Sequence, residues 1–571
     1  MQYEARINHW KTSKEVLESL TAAERGFDDR RNEISISSAL TAVQDKQRLA
    51  QDKHVRDVYR FAFQVCVLDR DPVQAWHWVQ KAKARSLSDT LGLGCIVPET
   101  LLAAIAADQK VRELYEKEKC LARKIVTSPN LDRFDMRVQL RDLETRMVAH
   151  ASLKALLDLR HGAAVTTQQL SDRCAQAFSE SRARKLVFVD WHVKGQEVFI
   201  LIFKPGEEPT MRRVNASLEY IESWLAKYFY SEEGRAAFLD RGENHPNQAL
   251  RMMDCLIEWL EDATEPRTTL VLSPAAPLDA IPLHAVHIPQ QMPNGRQRLV
   301  ALIQRNPVVY CSNMTAFIQC CERAATKKTP KPSTSVFMAV YEDTEGEESE
   351  VEEQDTLYRA TLDLATQMSG SPLIGQEVIR PNLECYWQAA DYIYFHGHCL
   401  TKPEVITDQV LVLSAAPDSY PSQSHPEPAL ETVRDIFSLK LQAPHISLMA
   451  CGSSSQRIEA GDEPLGLVTA LLCAGAASVT GKMWPIASAT ARRFAEHFHT
   501  EILSARGRKM VGSRKTGGQE EREGMVEVAV IDLAAALQKA VIRMKRTPQT
   551  WLPYHWAAFV VHGACFMKYA G

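Results

Sequence analysis

The sequence lacks several features that would place it in a special class of protein. No apolar run approaches the roughly 18 uninterrupted residues of a membrane-spanning helix. The first residues, MQYEARINHWKTSKEV, have no apolar core of the kind found in a signal peptide. With 67 Lys and Arg against 71 Asp and Glu, the formal net charge is −4, so no basic excess indicates nucleic acid. We therefore expect a cytoplasmic or nuclear protein with no membrane or nucleic-acid partner.

Paired cysteine motifs are missing as well. The 13 cysteines are odd in number and scattered, with no CxxC pair and no spacing typical of zinc sites. In such a chain we expect reduced, mostly buried thiols rather than a disulfide framework. We also expect no metal and no cofactor. A cysteine with a chemical role therefore needs evidence of its own.

The first third of the chain is predicted to be helical. Residues 54–94 show two amphipathic patterns, separated near residues 69–72, where Asp71 is placed to cap a helix that begins with Pro72. This pair favours a tetratricopeptide-like (TPR-like) repeat region over residues 1–130. Connecting long helices are predicted over 131–184, with one continuous pattern from about 134 to 159.

From residue 185 the period changes, and strands alternate with helices. After two paired strands within 185–206 and a helical stretch over about 216–261, the patterns predict strands at 268–273, 335–341, 392–395, 446–450, 477–482 and 556–561, and helices at 355–369, 464–474, 488–504 and 525–545. This alternation predicts a mostly parallel sheet flanked by helices. Two charged stretches, 342–355 and 505–524, are predicted to be solvated loops.

Two of these strands end in reactive side chains. The run ADYIYFHGH places His396 and Gly397 after one strand, and HISLMACGS places Cys451 after the next. Ligands gather outside the carboxyl ends of parallel strands, so an imidazole and a thiol at neighbouring strand ends would share one crevice. A cysteine attacks as the thiolate and a nearby imidazole takes its proton. The pattern therefore indicates a cysteine nucleophile, with the N–H groups of Gly397 and Cys451 as an oxyanion hole.

Other assignments of these residues are open. His398 is a rival for His396 as the base, because it lies two residues further along the same extended segment. A serine nucleophile at 453–455 is disfavoured because no G-x-S-x-G motif surrounds it. Structural roles for a buried Cys and His at strand ends are also common, so the chemistry alone leaves catalysis undecided.

At these residues the chain resembles the CHAT domain, a caspase-like cysteine peptidase family of clan CD related to separases. His396 and Cys451 are 55 positions apart, a separation similar to that of caspases. Further motifs agree in order over 185–571, namely LVLSPAAPLDAIPLHAV, LIQRNPVVYCSN, DEPLGLVTALLCAGAASVTGKMWPI and PYHWAAFVVHG. The stretch KAKARSLSDTLG is similar to the helix that links TPR repeats to CHAT domains.

The resemblance implies a caspase-haemoglobinase-like fold at 185–571, with an N-terminal subregion at 185–330 and a catalytic one at 331–571. It also implies hydrolysis of a protein substrate through a Cys451 thioester, with His396 as general acid and base. The N-terminal helices would bind a regulatory protein. Asp462, Glu463 and the Lys482–Pro485 turn, which includes Trp484, are proposed to line the substrate pocket. In the alternative interpretation, Asp462 caps a helix and Trp484 is a core aromatic. The alternatives are a catalytically silent CHAT-fold adaptor and a cysteine-dependent acyl transferase or amidase.

Overall fold

The structure is a computed structural model of the 571-residue chain. It describes residues 12–34, 49, 52–83, 87, 99–127, 133–160, 163–178, 186–229, 247–291, 295–326, 334–341, 348–400, 409–415, 429–459, 462–513 and 528–570. Most of 81–92, the segment similar to a TPR–CHAT linking helix, lies outside these residues.

The front of the described chain is helical, as predicted. Its helices are α1 (Ser13–Ile34), α2 (Lys53–Asp69), α3 (Pro72–Ala82), α4 (Glu99–Ala107), α5 (Gln109–Thr127), α6 (Arg133–Met147), α7 (Ala151–Arg160) and α8 (Thr167–Ala177). The Asp71 side chain caps α3 by accepting from the Val73 and Gln74 N–H groups, and Pro72 takes the first helical position. Capping at this position is confirmed, whereas a TPR-like repeat stays a prediction.

The remainder of the chain is built on a mixed sheet of eleven strands in the order β3-β2-β1-β4-β7-β19-β17-β14-β10-β8-β9. These strands are β1 (Leu186–Lys194), β2 (Glu197–Phe203), β3 (Thr210–Ser217), β4 (Thr269–Ser273), β7 (Val308–Tyr310), β8 (Ser335–Ala339), β9 (Ser371–Ile374), β10 (Tyr392–His396), β14 (His445–Leu448), β17 (Ser478–Lys482) and β19 (Phe559–Gly563). Neighbours are parallel except at β2–β3, β1–β2 and β17–β19. The predicted mostly parallel sheet is confirmed.

Smaller elements complete this region. The helices are α9 (Leu218–Tyr228), α10 (Asn247–Arg251), α11 (Leu260–Ala263), α12 (Leu302–Arg305), α13 (Met314–Thr326), α14 (Glu348–Met368), α15 (Arg380–Ala389), α16 (Val433–Ser438), α17 (Leu467–Ala474), α18 (Ser488–Ser513), α19 (Leu533–Lys545) and α20 (Pro553–Trp556). Small sheets pair β5 (His287–Gln291) with β6 (Gln297–Ala301), β11 (Cys399–Leu400) and β13 (Ala429–Thr432) with β12 (Val410–Leu413), β15 (Arg457–Glu459) with β16 (Glu463–Leu465), and β18 (Val528–Asp532) with β20 (Phe566–Ala570).

Several predicted boundaries were wrong. The single helix expected from about 134 to 159 is two helices, and the break lets Met147 and Leu153 both enter a small core formed by α4 to α7. The predicted helix at 525–545 begins only at Leu533, because Val528–Asp532 pairs with the last strand. The predicted loops are partly helical: α14 starts at Glu348 and α18 continues to Ser513, while 342–347 and 514–524 lie outside the described residues.

Hydrophobic cores join the front helices to the sheet. Phe63 of α2 packs against Phe199, with ring centroids 5.4 Å apart, and Trp76 of α3 packs against Phe203 at the same distance. Both helices belong to the main core of the sheet. Division of the chain at residues 130 and 184 stays a prediction, and the main core extends across both positions. No helix in the described ranges has an apolar stretch long enough to span a bilayer.

A buried polar contact links α3 to the sheet. Lys83, directly after α3, lies 2.9 Å from Asp190 of β1, and both side chains are at most 1% exposed. The Lys83 ammonium also donates to the carbonyls of Trp191 and Ser273, at 3.2 and 2.7 Å. Gln80 donates to the second Asp190 oxygen at 2.9 Å. The charge of Asp190 is therefore satisfied only while α3 is docked.

Lys83→Met is expected to lower the free energy of unfolding by about 3–5 kcal/mol, because it leaves a buried carboxylate without its counter-charge. Urea unfolding followed by circular dichroism measures this loss. Lys154→Met is the matched control, because Lys154 forms an exposed ion pair with Asp158, for which about 0.5 kcal/mol or less is expected. Equal unfolding midpoints for the two variants would contradict the assigned role of Lys83.

Candidate active site

Strands β10 and β14 pair in parallel and end side by side. Their register sets Tyr394 opposite Ser447 and Phe395 opposite Leu448. The last ladder bond is donated by the Met449 N–H to the Phe395 carbonyl, at 2.8 Å. His396 therefore ends β10, and Cys451 follows two residues after Met449 on the adjacent segment. The predicted adjacency of the two strands is confirmed.

The imidazole of His396 is held at both ring nitrogens. The Tyr394 hydroxyl lies 2.9 Å from Nδ1, and the Ser488 hydroxyl lies 3.1 Å from Nε2. Burial, with the nearby cations Lys482 and Arg492, holds the pKa of His396 well below its usual value. His396 is 3% exposed, so the ring is neutral and fixed in orientation.

The sulfur of Cys451 has different polar partners. Lys482 Nζ, at the end of β17, donates to Cys451 Sγ at 3.7 Å, and the thiol donates to the Ile486 carbonyl at 3.9 Å. Cys451 is half-buried, whereas Lys482 is 1% exposed. Within the described ranges, no hydrogen bond joins Cys451 to His396. In this arrangement Lys482 is the sulfur's charged neighbour, and proton transfer to His396 requires the Ser488 contact to open.

The loop that carries Cys451 is tied to β17. The Lys482 N–H donates to Ser453 Oγ at 3.2 Å, and the Ser454 N–H donates to the Lys482 carbonyl at 2.9 Å. Gln409 supports the same loop by donating to the Gly452 carbonyl at 3.0 Å. These bonds hold the thiol and the ammonium in one rigid unit.

Ser488 is itself positioned by an ion pair. Arg492, one turn further along α18, donates to Ser488 Oγ at 3.2 Å and forms a bidentate contact with Glu353 of α14. The side-chain bonds from Arg492 and Ser488 outweigh partial burial, so the pKa of Glu353 is lowered. Glu353 belongs to the segment predicted as a solvated loop. That prediction was wrong here because the acidic residue has a basic partner 139 positions away.

A neutral hydrogen-bond network fixes α18 against the sheet. His499 Nδ1 donates to the Ala495 carbonyl at 2.6 Å, so its Nε2 accepts from the Tyr392 hydroxyl at 2.8 Å. Tyr392 in turn accepts from Ser447 at 3.0 Å. Burial lowers the pKa of His499 to about 4 and that of His445, below Ser447, to about 3. Both imidazoles are therefore uncharged structural groups that align the strands beneath the site.

Gly397 is required by close packing. A Cβ at this position would lie 2.9 Å from Val340 Cγ1 and 3.0 Å from the Val340 carbonyl oxygen. Neither the Gly397 N–H nor the Cys451 N–H donates a hydrogen bond to the described part of the chain. Neither backbone donor is thus occupied within the described residues, as binding of a substrate oxygen would require.

The proposed pocket residues are not all brought to the thiol. Asp462 Oδ1 accepts from the Ala276 N–H at 3.0 Å, and burial raises the pKa of Asp462. Trp484 donates to the Tyr554 carbonyl at 3.0 Å and packs against Phe229. The side chain of Glu463 lies outside the described part. The alternative interpretation that Asp462 caps a helix was wrong, because residues 463–465 form a strand and helix α17 begins only at Leu467.

Sequence reasoning proposed the Lys482–Pro485 turn as a pocket wall but did not place the Lys482 ammonium beside the sulfur. It missed Ser488 and Arg492 as site residues. The predicted strand 477–482 ends at Lys482, so the strand-end argument used for His396 applied there too. No comparable signal identified Ser488 or Arg492, because both lie on a helix that follows the sheet. Their role depends on how α18 packs, which the local sequence does not specify.

A thiol and an imidazole at the ends of adjacent parallel strands, in a mixed sheet flanked by helices, define a caspase-like cysteine peptidase fold. Residues 248–511 match the family model of the CHAT domain. The match covers a narrower range than the 185–571 expected from the motifs. The predicted fold class is confirmed.

The comparison with solved structures found matches of low sequence identity. The crystal structure of the Saccharomyces cerevisiae separase–securin complex at 3.0 Å resolution matches with 9% sequence identity and a TM-score of 0.44. The match covers 98% of this chain and 48% of that one. Arg-specific gingipain R matches with 10% identity and a TM-score of 0.32, over 56% of this chain and 67% of that one. The chain thus spans about half of the separase chain. The comparison with curated proteins gave no match.

Gly397→Ala is expected to lower the free energy of unfolding by about 1–3 kcal/mol, because the new Cβ overpacks against Val340. Gly26→Ala is the control, because nothing lies within 4 Å of a Cβ there. Gly26 is in helix α1, so alanine should stabilise by up to about 1 kcal/mol. Chemical unfolding measures the change in the free energy of unfolding for both variants. A Gly397→Ala variant as stable as the wild type would refute the packing argument.

Proposed function

We propose that the protein is a cysteine endopeptidase that cleaves a protein substrate. Cys451 is the nucleophile and His396 is the general acid and base. The observation that carries the proposal is the placement of thiol, imidazole and ammonium at the ends of the neighbouring strands β14, β10 and β17. The CHAT family match supports it.

The proposed reaction passes through a thioester. The sulfur attacks the peptide carbonyl carbon while its proton passes to His396, and the N–H groups of Gly397 and Cys451 bind the oxyanion. The amide nitrogen then leaves with that proton. Water attacks the thioester and gives a proton to His396, which returns it to the departing sulfur. The products are an amine, a carboxylic acid and the free thiol.

A catalytically silent CHAT-fold adaptor is the second candidate. The observation that favours it is the pairing of both His396 ring nitrogens with Tyr394 and Ser488. If that pairing never opens, His396 cannot receive the Cys451 proton, and the surface of the domain would serve only to bind proteins.

The front helices are proposed to regulate the peptidase or to recruit it to a partner. As TPR-like helices they would bind a regulatory protein, and because α2 and α3 share the core of the sheet, a ligand on them acts on the same rigid unit. We place the protein in the cytoplasm or nucleus. Asp462, Glu463 and Trp484 are retained as proposed pocket residues. Glu463 is the first residue of β16 and pairs with Glu459 of β15.

An electrophilic peptide probe is expected to label the full chain at Cys451. Labelling should disappear in Cys451→Ala and fall by at least about 100-fold in His396→Ala, since general acid–base groups contribute on the order of 10²–10⁴-fold. Mass spectrometry of the labelled peptide measures both effects. Cys473→Ala is the matched control, because Cys473 is also half-buried and should leave labelling intact.

A peptide-library cleavage profile of the wild type against Cys451→Ser completes the test. Cleavage that vanishes in Cys451→Ser supports the peptidase. A wild type that neither takes up the probe nor cleaves any member of the library would favour the silent adaptor.

The pH profile of cleavage should reflect the neutral state of His396. Its pKa is lowered by burial and by cations, so the base stays deprotonated, and cleavage persists, on acidification below its ordinary value of about 6.5. Arg492→Met removes one of these cations and raises the pKa. The acidic limb of the profile should therefore move to higher pH by the amount by which the pKa rises.

Arg493→Met is the control for this profile. Arg493 is the next residue along α18 but contacts Gln549 instead of Ser488. Its acidic limb should coincide with that of the wild type. An unshifted acidic limb in Arg492→Met as well would show that Arg492 does not act on the base.

A further inference from the structure

Lys482 is a buried cation without a carboxylate partner in the described part of the chain. Its ammonium is 1% exposed, and its polar side-chain contact is Cys451 Sγ, at 3.7 Å. Burial lowers the pKa of Lys482, while the nearby thiols Cys451 and Cys399 act in the opposite direction. Burying an ammonium is costly unless an anion compensates it. The group able to become that anion at hydrogen-bond distance is the thiol of Cys451.

Lys83 is the other lysine among the described residues that is at most 1% exposed, and its contacts differ from those of Lys482. Lys83 has a carboxylate at 2.9 Å and two carbonyls as acceptors. Lys482 has a sulfur in the corresponding place. A lysine kept only for packing would not need its charged end directed at the nucleophile. The backbone N–H and carbonyl of Lys482 bond to Ser453 and Ser454, which fixes its main chain beside the loop that carries Cys451.

We propose, on the basis of the peptidase function above, that Lys482 is a catalytic residue whose ammonium is the counter-charge of the Cys451 thiolate. Lys482 balances the negative charge that the sulfur acquires as its proton passes to His396, so the thiolate does not depend on the imidazolium alone. The other groups that act electrostatically on Lys482 or on His396 are Cys399, His398 and Arg492. None of them is a carboxylate that would compete for the ammonium.

Alkylation of Cys451 by iodoacetamide tests this role without requiring cleavage. The full chain is treated from mildly acidic to alkaline pH, and the Cys451 peptide is quantified by mass spectrometry. Lys482→Met keeps the length of the stem but removes the charge. Its alkylation rate at pH 7 should fall by about tenfold or more, because an opposite charge at this distance changes ionisation by at least that factor. The difference should close at alkaline pH, where the thiolate forms unaided.

Internal and matched controls separate this effect from a general loss of structure. Cys120 and Cys385 are exposed, and their alkylation in the same samples should not change. Lys539→Met removes a lysine that pairs with Glu501, so Cys451 should react as in the wild type. Lys482→Arg keeps the charge and should recover part of the rate at pH 7. A Lys482→Met variant with the pH dependence of the wild type would overturn the proposal.

If Lys482→Met does not fold, the ultraviolet absorbance of the wild-type protein tests the proposal instead. At neutral pH it should show ultraviolet thiolate absorbance that Cys451→Ser lacks, and absence of this difference would overturn the role of Lys482. The two proposals fail separately. A reactive thiolate in a protein that cleaves no peptide contradicts the peptidase and leaves Lys482 as the counter-charge. Cleavage together with unchanged alkylation in Lys482→Met rejects only Lys482.

Discussion

The site depends on the parallel pairing of β10 with β14. This register fixes where each strand ends, and therefore sets the positions of His396 and of the loop that carries Cys451. A shift of one residue would turn every side chain of β10 to the other face of the sheet. The neutral network of Tyr392, Ser447 and His499 makes such a shift costly, because it would leave buried polar groups without partners.

The same network connects the strands to the residues that surround the imidazole. His499, Arg492 and Ser488 all lie on α18, so the bonds that fix this helix against β10 also place the Ser488 hydroxyl on His396. Glu353 extends the chain of contacts to α14, which begins just after residues 342–347. Rearrangement of the His396 contacts would therefore involve two helices and not a single rotamer.

Local patterns predicted most strands of the main sheet, for example the β-branched and aromatic run at residues 392–396. They did not predict β3, β7 or β9. They also predicted the capped start of α3 from Asp71 and Pro72. Local patterns gave wrong predictions where contacts between residues far apart in the sequence determine the secondary structure. Residues 528–532 become a strand only by pairing with the last strand, and Glu353 joins a helix whose ion pair lies 139 positions away. Asp462 is bonded to Ala276, and no local signal near either residue predicts that contact.

The charges at the site explain why His396 and Lys482 have different tasks. Two fixed cations and burial keep the imidazole uncharged, so it can accept a proton but is poorly suited to stabilise a thiolate as an imidazolium. Lys482 has the complementary properties: it carries the charge, and strand β17 and the 451–455 loop hold it against the sulfur. An ammonium supplies electrostatic stabilisation without giving up a proton at each turnover, which leaves proton transfer to the neutral ring. In a Cys–His pair one imidazole both transfers the proton and stabilises the thiolate. Here His396 has the first task and Lys482 has the second.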